Sequence, residues 1–146
     1  MTKDEMMTMV SLMESAYPGK EFLTNKTAFD CWYEEFQSED YDDVRTAFKN
    51  HMRTGKFLPC IADITAQLDK IKHDRNQTNS VIESFYDNAS NSYPGRGNDE
   101  TKDLFFRLAY SCEGKDPTKV AQYMARVISE NPTDKPLIEF MRENFR

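Results

Sequence analysis

Apolar residues recur at intervals of three and four along almost the whole chain, and no segment alternates apolar with polar residues as a half-buried strand would. That pattern restricts the fold to packed helices, and turn and capping residues cut it into segments. Thr2 is a fair N-cap for a first helix reaching about Ala16, with Asp4 and Glu5 in its first turn; Tyr17-Pro18-Gly19 stops it. A second helix opens near Thr24 or Asn25 and carries Phe29, Trp32, Tyr33 and Phe36. A third opens at Asp40, carries Val44, Ala47, Phe48 and Met52, and ends at Gly55. Pro59 suits the start of a fourth, marked by Ile61, Ile64, Leu68 and Ile71. The polar residues 72–80 read as a helix end or a linker, or they continue one helix, and a fifth helix runs from about Ser80 to Ala89 on Ile82, Phe85 and Tyr86. Residues 88–100, rich in Asn, Ser, Pro and Gly, predict a loop. Leu104, Phe105, Leu108 and Cys112 mark a sixth helix. Asp116-Pro117 caps and opens a seventh with Val120, Met124, Val127 and Ile128, and Leu137, Phe140 and Met141 mark a last one. The expected fold is an all-α helical bundle.

A chain of 146 residues suits one compact domain or two very small ones, and 38% hydrophobic with 12% aromatic residues supplies a core. Tyr17-Pro18-Gly19-Lys20 returns as Tyr93-Pro94-Gly95-Arg96, an offset of 76 residues (17 to 93). At that offset Phe29 falls on Phe105, Asp40 on Asp116, Val44 on Val120, Phe48 on Met124 and Ile64 on Phe140. Two tandem four-helix units would produce this, with an amino-terminal bundle at 1–75 and a carboxy-terminal helical region at 76–146. Any two helical halves share apolar period, so coincidence explains the hydrophobic matches equally, and both readings stand.

The missing chemistry narrows the function. Thr54-Gly55-Lys56-Phe57 lacks the upstream glycine and the hydroxyl residue of a phosphate-cradling loop, and no GxGxxG or GxSxG occurs. His51 and His73 have no metal-ligand spacing around them, and Cys31, Cys60 and Cys112 form no CxxC. No enzyme, metal or cofactor is expected. A net charge of −6 argues against duplex DNA as the main partner. The Met-Thr-Lys-Asp-Glu start has acid where a secretory leader needs an apolar run, and no stretch approaches the ~20 apolar residues of a membrane helix. A reducing cytoplasm fits the cysteines.

Binding features remain. Met6, Met7, Met9, Val10, Leu12 and Met13 cover about 220° of the first helix, more than a single core face needs. Either the chain sandwiches this helix, or Met7 and Leu12 meet a partner. Two positive clusters stand out: Lys49, His51, Arg53 and Lys56, then Lys70, Lys72, His73 and Arg75. Solvated helix ends explain them most simply, and His51 reads as a histidine at the core edge. The carboxy-terminal Leu137, Ile138, Phe140, Met141, Phe145 and Arg146 dock on the chain itself or on a partner. Candidate partner-binding residues are therefore Met7, Leu12, Arg53, Lys56, Phe140, Phe145 and Arg146.

Ala16-Tyr17-Pro18-Gly19, Trp32-Tyr33-Glu34-Glu35-Phe36, Tyr41 through Val44, and Phe57-Leu58-Pro59-Cys60-Ile61-Ala62-Asp63-Ile64 follow one another. Over residues 5–71 this order resembles the small replicative-helicase loader and inhibitor proteins of bacteriophages that infect Gram-positive bacteria. Those proteins carry Phe-Pro-Pro-x-Ile-Ala-x-Ile at the start of their fourth helix; here Leu58 replaces the first proline. The resemblance implies a helical bundle in the host cytoplasm that binds the hexameric DnaB-like replicative helicase. It also implies delivery of that helicase to a replisome organiser and single-strand-binding protein, with the helicase held inactive on the way. In the family the carboxy-terminal part tends to be flexible and to contact the helicase, whereas residues 78–146 here read as folded helices, so the resemblance does not carry the helicase site onto them. The other functional class is a phage-encoded acidic inhibitor of a host nuclease or replication factor, acting by protein binding or nucleic-acid mimicry. A weak nucleic-acid adaptor working through the positive clusters is a third.

Overall fold

The computed structural model describes residues 1–93 and 97–145. Over these the chain is all-α, with seven helices and no strand. They are α1 (Lys3–Ala16), α2 (Lys26–Phe36), α3 (Tyr41–Thr54), α4 (Ile61–Asn91), α5 (Asp99–Ser111), α6 (Pro117–Glu130) and α7 (Leu137–Asn144).

Local chemistry sets most of the starts. Thr2 accepts from the Glu5 amide at 3.2 Å while the Glu5 carboxylate accepts from the Thr2 amide at 2.7 Å, a reciprocal cap that satisfies two orphan donors. Asn25 accepts from the Ala28 amide at 2.7 Å, and Asp40 accepts from Asp42 and Asp43 at 3.0 and 3.2 Å. Asp116 accepts from the Thr118 amide at 2.9 Å with Pro117 in the first turn of α6. Asn98 and Thr101 cap α5 reciprocally, and the Tyr86 hydroxyl stands 2.6 Å from Thr101 Oγ1. Gly97 passes so close to this group that a Cβ there would overlap Tyr86 Oη.

The middle of the chain departs in part from the sequence expectation. Residues 72–80 continue the helix, one of the alternatives the sequence left open: the fourth and fifth expected helices are one 31-residue helix. No glycine or proline interrupts residues 61–91, and Lys, Arg and Gln propagate a helix well without an apolar face. The same helix takes residues 88–91 from the expected 88–100 loop, and α5 takes Asp99 and Glu100. Helix α4 begins at Ile61, two residues later than Pro59 suggests.

The chain divides into two compact units, Met1–His73 and Asp74–Arg146. The core of the first gathers Met6, Met9, Val10 and Met13 of α1, Trp32 and Phe36 of α2, Val44, Ala47 and Phe48 of α3, and Ile64 and Leu68 of α4. Phe22, in the α1–α2 turn, lies edge-on to Trp32 at 5.0 Å between centroids; its neighbour Leu23 takes φ 55°, a left-handed conformation rarely adopted by a branched side chain. The core of the second gathers Ile82, Tyr86 and Ala89 of α4, Phe105 and Ala109 of α5, Met124, Ala125 and Ile128 of α6, and Leu137, Phe140 and Met141 of α7.

Some helix limits recur at the offset read from the sequence, although α5 opens at Asp99, three residues before the Lys102 that Lys26 would give. Tyr41 and Thr54 bound α3 while Pro117 and Glu130 bound α6, and α4 and α7 open at Ile61 and Leu137. The buried faces keep that offset at Met6 and Ile82, Val10 and Tyr86, Met13 and Ala89, and Ile64 and Phe140, but not throughout α3 and α6. Val44, Ala47 and Phe48 are buried on α3, and their buried counterparts Ala121, Met124 and Ala125 lie one residue further along. One residue turns a helix face by about 100°. Of the second Tyr-Pro-Gly segment, Pro94, Gly95 and Arg96 lie outside the described residues.

Candidate partner-binding surfaces

The first unit presents its least ordinary surface at the turn between α3 and α4. Gly55 ends α3, and its amide donates to the His51 carbonyl at 2.6 Å. The Tyr17 hydroxyl, from the end of α1, donates to the Gly55 carbonyl at 3.0 Å. His51 packs over Gly55 so closely that a Cβ there would stand 2.5 Å from His51 Nε2. The same nitrogen lies 3.0 Å from the Phe57 carbonyl oxygen. Beyond the turn, Asp63 accepts from the Cys60 amide at 2.9 Å and opens α4. That backbone hydrogen bond, more than the Cys60 side chain or the charge of His51, holds the Asp63 carboxyl below its usual range. The turn is thus tied to α1, α3 and α4, and it carries Phe57 with 81% of its surface exposed.

Arg53 and Lys56, both exposed, flank this aromatic, so two of the candidate residues share one surface. Met7 and Leu12 belong to α1, where Met7 is 51% exposed and Leu12 half-buried against the core. The wide apolar arc of α1 is therefore mostly core, with Met7 outside it. His51 fits the core-edge reading. In the second positive cluster, Lys72 is an ion-pair partner of Glu39 at 2.6 Å, which raises the Lys72 pKa, so its charge links α4 to the α2–α3 turn.

The second unit carries a groove of about 680 Å³ between the end of α5, the start of α6 and the end of α7. Leu108, Cys112, Val120 and Met124 form its apolar wall, and Lys115 and Lys119 supply its positive charge. Phe145 lines it and meets Tyr123 and Phe140 edge-on, each at 6.4 Å between centroids. Tyr123, 54% exposed, also carries Arg126 over its ring at 5.8 Å. Phe140 is not a surface residue: it is 5% exposed and packs on Tyr93 at 6.0 Å, because the apolar stripe of α7 turns inward. Arg146 lies outside the described residues.

In the sequence Phe57 stands only within the string that carries the family resemblance, as a structural residue and not a contact, and Tyr123 is not singled out. Phe57 had a usable signal, since it sits between a helix-ending glycine and Pro59, off the stripe of either helix. Tyr123 falls on the flank of α6, where periodicity alone does not separate rim from core.

Among the described residues no group of three or more His, Cys, Asp or Glu side chains could hold a metal ion, and no helix is long and apolar enough to cross a membrane. Residues 1–65 match the amino-terminal domain of the phage helicase loader/inhibitor gp39P. The match ends just inside α4. Tyr17, Gly55, Phe57 and Asp63 all lie within it. No curated protein and no solved structure matches the chain significantly.

Proposed function

We propose that this chain is a phage DNA-replication accessory protein that binds the hexameric replicative helicase in the host cytoplasm, loads it and holds it inactive meanwhile. The observation that carries the reading is the gp39P-type match over residues 1–65, with the core and turn residues of the first unit inside it. Binding alone can hold an enzyme inactive if the ligand prefers its inactive state, and the inhibition is limited by that difference in affinity. The amino-terminal unit acts as the family-like module. The carboxy-terminal unit adds a second apolar surface, the groove around Tyr123 and Phe145. A replisome organiser and single-strand-binding protein are the further partners this role requires.

Steady-state ATPase assays of purified replicative helicase test the reading. Added chain should suppress turnover and saturate at a fixed molar ratio. Unchanged turnover at excess chain argues against inhibition. The competing acidic-mimic reading expects instead that a nuclease loses its nucleic acid to the chain, with an effect that collapses as salt rises.

A further inference from the structure

Phe57 sits at the end of a line of positive charge. Arg45, Lys49 and Arg53 recur every fourth residue on α3, so they share one exposed stripe, and Lys56 continues it into the turn. No ion pair engages any of the four among the described residues. The stripe stands out because the chain as a whole carries −6. The turn itself is held by Tyr17, His51 and Asp63, so presenting Phe57 to a partner requires little ordering of backbone.

We propose that Phe57 is an anchor that enters an apolar pocket on a partner protein, with Arg45, Lys49, Arg53 and Lys56 facing carboxylates around that pocket. The inference rests on the helicase reading and names the surface sought there: an apolar depression rimmed by Asp and Glu. Buried aromatic anchors carry much of the energy of protein interfaces, and complementary charge sets approach and register. A single-stranded nucleic acid fits less well. Proteins of that kind stack successive bases on several aromatics, whereas this turn offers one, and a net charge of −6 repels a polyanion at longer range.

Isothermal titration of the full chain with purified replicative helicase, at low and high salt, tests this. Phe57→Ala should weaken binding roughly 30-fold, the size expected of an interface anchor. Arg53→Glu with Lys56→Glu should weaken binding at low salt and flatten its salt dependence. Far-UV melting of these variants should match the parent, since the altered side chains are exposed. Parent binding with Phe57→Ala equally tight overturns the anchor and leaves the helicase reading standing. No binding by the parent overturns the helicase reading and the anchor with it. Labelled oligo-dT bound by the parent and lost in Phe57→Ala overturns the protein partner in favour of nucleic acid.

Discussion

The Tyr93 hydroxyl lies 2.6 Å from Thr133 Oγ1, in the turn between α6 and α7, as the Tyr17 hydroxyl holds the Gly55 carbonyl in the turn between α3 and α4. Each tyrosine closes a Tyr-Pro-Gly segment's first position onto the turn that follows two helices later. This is the most specific likeness between the units, because it is a contact and not merely a shared period. Tyr17→Phe and Tyr93→Phe each delete one part-buried hydrogen bond and should each cost about 1 kcal/mol in urea unfolding. Neutral outcomes at both positions would mean that neither turn depends on its tyrosine.

Trp32 is the chain's single tryptophan and lies in the first core, 6.0 Å from Phe48 between ring centroids. Phe48→Ala empties a fully buried site and should cost about 3–5 kcal/mol, displacing the unfolding transition seen by Trp fluorescence. Phe105→Ala, an equally buried change in the second core, should move that signal less than it moves the far-UV signal.

Much of this was legible in the sequence, and the failures have physical causes. Asp40, Asp116-Pro117 and Gly55 fixed helix limits because capping is local chemistry between residues two or three apart. The continuity of α4 was hidden because a polar stretch without breakers is equally consistent with exposed helix and with linker. The direction of Phe140 was hidden because an apolar stripe on a terminal helix does not say whether the chain or a partner covers it. Phe57 lay in plain view as a loop aromatic, but its exposure follows from the Tyr17 and His51 contacts that aim the turn.

Gly97 touches the Tyr86–Thr101 group, and a Cβ there would overlap Tyr86 Oη. Gly97→Ala should force Tyr86 out of its position and cost about 1–3 kcal/mol, the usual range for overpacking. The companion change Tyr86→Phe removes the obstructing hydroxyl, so the double variant should lose less than the two single losses combined.

Asp63 has its pKa lowered in the folded chain, chiefly by the Cys60 backbone hydrogen bond. Its contribution to stability is therefore fully present above the unfolded aspartate value, about 3.9, and disappears as pH falls through the lower folded value. Asp63→Asn should lower the melting temperature at neutral pH, and the gap from the parent should close in acid below that range. A gap that stays constant down to the acid limb would assign the loss to something other than the charged cap.

Light scattering coupled to size exclusion tests most directly whether this chain acts by binding a replicative helicase. Mixed with the purified hexamer, the chain should co-elute in a complex whose mass corresponds to a fixed number of copies per hexamer. Separate elution of chain and helicase, with and without nucleotide at micromolar concentration, would contradict the account.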